Sequence, residues 1–169
     1  MGETGILERD DHLELVEGEI IRMSPIGSRH AACVRRLTAL FAQRLGARAC
    51  VSVQNPVVLG RHSELQPDVA ILRPRADAYA EHHPGPADIL LIVEVIDSSG
   101  NYDRGTKLPL YARARLPEVW LVDLPQATID IYRAPSLRGY RDHRNALRGE
   151  RLSPLAFPRV AFRVAGILA

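Results

Sequence analysis

The apolar residues alternate with polar ones at the start of the chain and then change to a helical spacing. The alternation over residues 13–23 predicts two short strands around a turn at Glu17 and Gly18. Apolar residues then recur at helical spacing up to residue 45, so we expect a helix of about four to five turns. Ser28 is its expected N-cap, and Gly46 follows its last apolar position.

The middle of the chain is predicted to supply the inner strands of a sheet. Residues 49–59 are rich in valine and residues 68–72 are an apolar run after a proline, so both predict strands. Prolines, glycine and polar residues over residues 73–88 predict a surface loop. The run ILLIVEVI at residues 89–96 is apolar at both alternating positions, which is typical of a strand covered on both faces. We therefore expect it in the middle of the sheet.

The second half of the chain is predicted to contain one helical region and further strands. The helical pattern over residues 103–116 includes Pro109, which lacks an N–H donor, so we expect either one helix or two helical pieces. Pro117 ends this region, and residues 119–124 and 128–133 predict two strands. This order of strands and helices is that of an α/β protein.

Composition and length place few further limits on function. The 169 residues suit a single domain spanning 1–169, and 46% apolar with 25% charged residues is typical of a soluble globular protein. The N-terminus is acidic and lacks a continuous apolar segment, so we expect no signal peptide, no membrane span and a cytoplasmic protein. Cys33 and Cys50 have no metal-type spacing. The net charge of +2 permits contact with a polyanion without requiring it.

One acidic residue stands out because it lies inside the most apolar run of the chain. Burial of an unpaired carboxylate costs several kcal/mol or forces it to take up a proton, so Glu94 needs a partner. The simplest alternative is a buried salt bridge to an arginine. A metal or catalytic role is favoured if a second acid lies beside it, and Asp68 is the candidate, since it opens the preceding predicted strand. Two carboxylates, a backbone carbonyl and waters are ligands that Mg²⁺ accepts.

These residues carry a resemblance to a known family. The motifs are LELVEGEIIRM, SRHAACVRRL, QPDVAIL, LIVEVIDSS and YDRGTKLPLYARARLPEVWLVDL. Together they resemble the Uma-type, restriction-endonuclease-like family of the PD-(D/E)XK nuclease superfamily, over most of the chain from about residue 13 to residue 132. The resemblance implies a restriction-endonuclease-like α/β fold with a mixed central β-sheet flanked by helices and an N-terminal β-hairpin.

The resemblance also explains a departure from the superfamily pattern. The usual superfamily lysine lies two residues after the strand glutamate, where this chain has Ile96. The Uma-type pattern instead has a lysine on the following helix, which here is Lys107, four residues after Asp103 and on the same helical face. Lys107 is the only lysine of the chain. The alternative is that it is a chance survivor of a drift toward arginine and pairs with Asp103 on a surface helix.

The implied activity is Mg²⁺-dependent endonucleolytic hydrolysis of phosphodiester bonds in DNA, with Mn²⁺ as a possible substitute ion. Asp68, Glu94 and the backbone carbonyl of Val95 are expected to hold the metal, and Lys107 is expected to assist from the helix. Supporting roles are expected for three further residues: Asp103, Glu17 and His30. A homodimer is expected, because two active sites would cut both strands. The competing hypothesis is a catalytically inactive nuclease-fold module that binds nucleic acid or a protein partner.

Overall fold

The computed structural model describes residues 13–23, 25–97 and 100–169. The N-terminal strands are β1 Leu13–Val16 and β2 Glu19–Arg22, and helix α1 is Ser28–Leu45. A 3₁₀ turn at Gly46–Arg48 leads to β3 Cys50–Val53, β4 Val57–Gly60, β5 Ser63–Leu65, β6 Val69–Leu72 and β7 Ile89–Ile96. Three helical pieces follow: α2 Gly100–Tyr102, a π-helical turn at Asp103–Lys107 and α3 Leu108–Arg113. The remaining elements are β8 Glu118–Asp123, β9 Thr128–Ser136, β10 Gly139–Leu147, β11 Arg151–Leu152, β12 Phe162–Arg163 and α4 Val164–Ile167.

The main sheet has six strands in the order β10-β9-β8-β7-β6-β3. Strands β7 and β8 are parallel, and the other neighbouring pairs are antiparallel, so the sheet is mixed. The central position expected for ILLIVEVI is confirmed: β7 has strands on both sides and nearly all of its side chains are buried. The expected mixed α/β fold is therefore observed.

The two faces of this sheet are covered by different layers. Alternate residues of β6 and β7, such as Val69 and Val93, pack with the buried face of α1. The intervening residues, such as Ala70 and Ile92, pack with Leu110 and residues of the N-terminal strands. The strands β1 and β2 form a second sheet together with β5 and β4, in the order β2-β1-β5-β4. Within the described parts of the chain, no helix is long and apolar enough to cross a membrane.

Most predicted elements are present, with three corrections at their boundaries. The N-terminal hairpin is confirmed, with Glu17 and Gly18 in its turn at positive φ. The N-cap of α1 is Gly27 and not Ser28, which is already helical. The expected strand at 49–59 is two strands that lie in different sheets, because the chain turns before Pro56. The strand after Pro67 begins one residue later than expected, at Val69.

The helical region after β7 is divided into pieces, which is one of the two alternatives that the sequence left open. The N–H of Leu108 donates to the carbonyl of Asp103, the bond of a π turn. Pro109 follows at the start of α3, where its missing N–H leaves the α-helical hydrogen-bond ladder incomplete. Single π turns are often found at functional sites. This one carries Asp103 and Lys107, and both are buried.

Candidate active site

Asp68 and Glu94 meet where β6 begins beside β7. The pairing of Val69 with Val93 places Asp68 next to Glu94 on the neighbouring strand. The Asp68 N–H donates to Glu94 Oε2 at 3.2 Å, and the N–H of Val95 donates to Asp68 Oδ2 at 2.8 Å. The contact that the sequence predicted between these two acidic residues is therefore present. The Val95 carbonyl remains a predicted ligand.

Lys107 reaches the same place from the π turn. Its Nζ lies 3.1 Å from Glu94 Oε1 and 2.9 Å from Glu14 Oε1, and the residue is 2% exposed. Burial alone would lower the pKa of Lys107, but the Glu94 and Glu14 carboxylates outweigh it and raise that pKa above its ordinary value. Lys107 is therefore a buried ammonium ion. The partner of Glu94 is this lysine, not the arginine that the simpler salt-bridge alternative required.

The pKa of the Glu94 carboxyl group is raised well above its ordinary value. Burial raises its pKa to about 8, although the Lys107 ammonium lowers it and the hydroxyl of Tyr111 donates to Oε1 at 2.5 Å. Asp68 and Asp103 raise the same pKa further through their negative charge. A further cation beside Glu94 would favour its ionised form.

Among the residues that the structure describes, carboxyl groups outnumber basic groups in this cluster. Four buried carboxyl groups face two basic groups; the acids are Glu14, Asp68, Glu94 and Asp103, and the bases are Lys107 and His30. Such an excess favours binding of a cation, because an added positive charge would let the carboxyl groups ionise together.

His30 and Gln54 contact the other side of Asp68. His30 Nε2 lies 2.9 Å from Asp68 Oδ2, and the Gln54 amide donates to Asp68 Oδ1 at 3.3 Å. Burial lowers the pKa of His30, but the hydrogen bond and the charge of Asp68 outweigh it, so the net shift is upward. His30 Nδ1 is buried and has no hydrogen-bond partner among the described residues. The N-terminal end of α1 thus contributes to the cluster.

The other predicted residues have different surroundings. Asp103 is 4% exposed, and its charge raises the pKa of Lys107 and of His30, so it lies in the same neighbourhood. Glu17 lies elsewhere: it is an exposed turn residue whose carboxylate accepts a hydrogen bond from Arg113 at 2.8 Å. The structure thus brings together every predicted side chain except that of Glu17.

The oxygen donors of Asp68 and Glu94 suit a hard cation such as Mg²⁺. From the described residues, Asp68 Oδ1 and Glu94 Oε2 accept long hydrogen bonds of 3.3 and 3.2 Å, and a cation would replace these weak bonds most easily. Among residues 13–23, 25–97 and 100–169, however, no three His, Cys, Asp or Glu side chains are already grouped to hold a metal. A bound ion would need the backbone carbonyl and water as further ligands.

Three residues of the cluster were missed from the sequence: Glu14, Gln54 and Tyr111. Glu14 accepts hydrogen bonds from the Tyr102 hydroxyl at 2.9 Å and the Gln66 N–H at 2.8 Å. Glu14 and Val16 share one face of β1, and the structure shows that this face is buried. The side chains of Gln54 and Tyr111 have no signal in a single sequence, because their roles depend on contacts across the fold.

A family model described as "Putative restriction endonuclease", Uma2, matches residues 3–165. The chain belongs to the Uma2 family. This assignment confirms the resemblance, and it places the chain in a restriction-endonuclease-like nuclease family.

A solved structure supports the fold of this Uma2 chain. It is the crystal structure of a putative nuclease belonging to DUF820 from Anabaena variabilis ATCC 29413. The TM-score is 0.77 at 14% sequence identity, and the alignment covers 98% of this chain and 94% of that chain. At this identity the likeness shows the fold alone. No curated protein matches the chain.

Proposed function

We propose that this Uma2 chain is a Mg²⁺-dependent endonuclease that hydrolyses phosphodiester bonds in DNA. One observation carries the proposal: Asp68 before β6, Glu94 of β7 and Lys107 of the π turn converge in one buried cluster, in which carboxyl groups outnumber basic groups among the described residues. A purely structural site would more often pair its charges evenly or replace them with apolar groups. Perturbed titratable groups of this kind are typical of functional sites.

In the proposed mechanism, Asp68 Oδ1, Glu94 Oε2 and the Val95 carbonyl hold the ion. Bound Mg²⁺ would polarise the phosphodiester and lower the pKa of a bound water. Mn²⁺ offers the same chemistry to oxygen ligands. Burial and neighbouring negative charge raise the pKa of Glu94, and a bound cation would favour its ionised form.

The positive charge of Lys107 determines its proposed role in catalysis. Because its pKa is raised, the ammonium group donates hydrogen bonds and does not act as a general base. It would orient the attacking water or stabilise charge on the phosphate, as phosphoryl transfer requires. Asp103 would hold Lys107 in this charged state, and His30 would orient Asp68 through the 2.9 Å contact. Cleavage of both DNA strands by one assembly would require a homodimer, which we include in the proposal.

A second candidate function is a catalytically inactive nuclease-fold module that binds nucleic acid or a protein partner. One observation favours it: protein groups already hydrogen-bond to all four carboxylate oxygens of Asp68 and Glu94. Ile96, at the usual superfamily lysine position, is consistent with the same alternative. Such a module would have no need to bind Mg²⁺ through these two residues.

The test is cleavage of supercoiled plasmid and of single-stranded DNA with Mg²⁺, Mn²⁺ or a chelator. Asp68→Asn, Glu94→Gln and Lys107→Arg should each lower the rate by roughly 10²-fold or more. Glu19→Gln is the matched control, because Glu19 is exposed on β2. Cleavage that persists in both acid variants or in chelator would contradict the assignment. Titration calorimetry with Mn²⁺ separates the two candidate functions, since only the enzyme should lose ion binding in Asp68→Asn.

A further inference from the structure

Arg104 connects the π turn to β8 and β9, which lie on the opposite side of β7 from β6. Its Nη2 donates to Asp123 Oδ2 at 2.9 Å, and its Nη1 donates to Asp130 Oδ2 at 2.7 Å. Asp123 ends β8 and Asp130 lies in β9, so one guanidinium group is bound to two neighbouring strands. The same Nη1 lies 3.4 Å from the hydroxyl of Tyr132.

The two carboxylates that hold Arg104 are themselves held in place. Asp123 Oδ1 accepts the N–H of Gln126 at 2.8 Å. Asp130 Oδ1 accepts the Asn145 amide at 2.8 Å and lies 3.0 Å from His143 Nε2. The acid side chains are 10% and 8% exposed, whereas that of Arg104 is 36% exposed. The planar guanidinium group of an arginine can donate hydrogen bonds to two fixed carboxylates at once, because its donors point in fixed directions. A lysine ammonium lacks this fixed geometry.

Three residues further along the same turn, Lys107 contacts Glu94 of β7 and Glu14 of β1. The π turn is therefore fixed to β8 and β9 at Arg104 and to β7 and β1 at Lys107. Only Gly105, which is exposed, and Thr106, which is half-buried, lie between them. The Arg104 contacts and the Lys107 ammonium therefore belong to one short turn of backbone.

We propose that Arg104 is a positioning residue that fixes the π turn through Asp123 and Asp130 and so keeps Lys107 against Glu94 and Glu14. This inference rests on the proposed nuclease function only for its catalytic consequence. Its structural consequence, the burial of Lys107, is measurable whether or not the protein cleaves DNA.

The experiment uses the fact that Lys107 is the only lysine of the chain. An amine-reactive acylating reagent therefore modifies Lys107 and the N-terminal amine alone, and mass spectrometry of the Lys107 peptide gives the rate of acylation at that residue. In the unmodified chain the 2% exposed Lys107 should react slowly. Arg104→Gln should increase the rate by about tenfold or more, since local opening exposes the ammonium. Asp123→Asn, a milder change at the other end of the contact, should increase it less.

Two controls separate local release of the π turn from general destabilisation. Arg113→Gln removes an arginine of the adjoining α3 whose pair with Glu17 is exposed, and it should leave Lys107 as slow as before. Cys33 is fully buried in α1, so its rate of thiol alkylation reports unfolding of the whole protein. In Arg104→Gln the acylation of Lys107 should accelerate while the alkylation of Cys33 does not.

The catalytic consequence is read from kcat and KM separately. If cleavage is observed in the unmodified protein, Arg104→Gln should lower kcat with little change in KM, and Arg113→Gln should change neither. The proposal is wrong if Lys107 stays protected in both Arg104→Gln and Asp123→Asn, or if Cys33 accelerates in parallel with Lys107. A failure of the nuclease proposal would instead appear as absent cleavage by the unmodified protein, with the Lys107 rates still decisive for Arg104.

Discussion

At Glu94, burial and hydrogen bonding act in opposite directions on one carboxyl group. Burial raises its pKa to about 8, whereas Lys107 and the Tyr111 hydroxyl favour the ionised form. The same two groups also fix the orientation of Oε1, so Oε2 faces Asp68. Residues that contact a ligand without contacting the ion usually affect its affinity by about 10- to 100-fold.

Tyr111→Phe should therefore weaken divalent-ion binding by about 10-fold or more while the protein stays folded. Removal of the hydroxyl takes away one donor that favours ionised Glu94, so the proton competes better with the ion. Mn²⁺ affinity from calorimetry is the measurement. Tyr140→Phe is the control, because the Tyr140 hydroxyl donates to the carbonyl of Leu116 and not to a carboxylate. Equal affinities in the two variants would show that Tyr111 does not tune Glu94.

Single residues differ in how far the sequence alone predicts their position in the site. Glu94 could be found because an acid inside an apolar strand needs a partner, and Lys107 because the family pattern and its rarity both single it out. Asp68 follows from strand pairing. Glu17 was chosen in the motif that also contains Glu14, and the structure shows Glu14 to be the buried acid. The alternation within β1 is compatible with burial of either face of the strand. Only the packing of the second sheet decides which face is buried.

At the scale of elements, hydrophobic periodicity predicted the helices and the inner strands, and chain reversals were harder. The helix α1 and the strand β7 have long, strongly patterned sequences, and their bounds are close to those expected. The break between β3 and β4 was missed because valines continue on both sides of it. The π turn could not be predicted from Pro109 alone, which indicates an interruption but not its hydrogen-bond register.

Asp130 connects its own strand β9 to β10 and to the π turn, and its protonation should weaken these contacts. Burial would raise its pKa, but hydrogen bonds from Asn145, Arg104 and His143 outweigh it and lower the pKa below the ordinary aspartate value. A carboxyl group with a lowered pKa stabilises the fold above its unfolded-state pKa, and this contribution is lost as the pH falls through the folded-state value.

Asp130→Asn should be less stable than the unmodified protein at pH 7, by about 1–3 kcal/mol, because charge-assisted hydrogen bonds are lost. The difference should shrink as the pH falls below the ordinary aspartate pKa of about 4 and then through the lower folded-state pKa of Asp130, where the carboxylate becomes neutral. Urea unfolding at a series of pH values measures this difference. Asp142→Asn, at an exposed position of β10, should show neither effect. A difference that does not change with pH would mean that the charge of Asp130 is not what holds β9, β10 and the π turn together.

At the scale of the whole molecule, a fully buried acid that lies apart from the candidate active site contributes to stability at the start of β8. Glu118 begins this strand and is fully buried, with Oε1 accepting the Trp120 indole N–H at 2.9 Å and Arg133 Nη2 at 2.6 Å. Trp120 in turn contacts Phe41 of α1, with ring centroids 5.9 Å apart, and Phe162 of β12 at 6.4 Å. Through Trp120, Glu118 therefore connects the sheet to α1 and to the C-terminal segment.

Glu118 differs from Glu94 because its charge is matched. Both Nε and Nη2 of Arg133 donate to Oε1, and the N–H of Leu155 donates to Oε2 at 2.5 Å. A buried acid with one fixed cation and a full set of donors suits a structural role, whereas the cluster around Glu94 has acids in excess. The two acids occupy different levels of the sheet, since Glu94 pairs with Leu121 and Glu118 lies before Val119, the partner of Ile92.

Glu118→Ala should accordingly lower the free energy of unfolding by about 3–5 kcal/mol, because it leaves the Arg133 guanidinium and the Trp120 N–H without their acceptor. Glu19→Ala, at an exposed position of β2, is the matched control and should have little effect. Urea unfolding measures the change. At temperatures where Glu118→Ala remains folded, its Mn²⁺ affinity should equal that of the unmodified protein, since none of the groups around Glu94 has been altered. A loss of ion affinity in the folded variant, or a destabilisation below about 1 kcal/mol, would contradict this separation of the fold-stabilising acid from the candidate catalytic one.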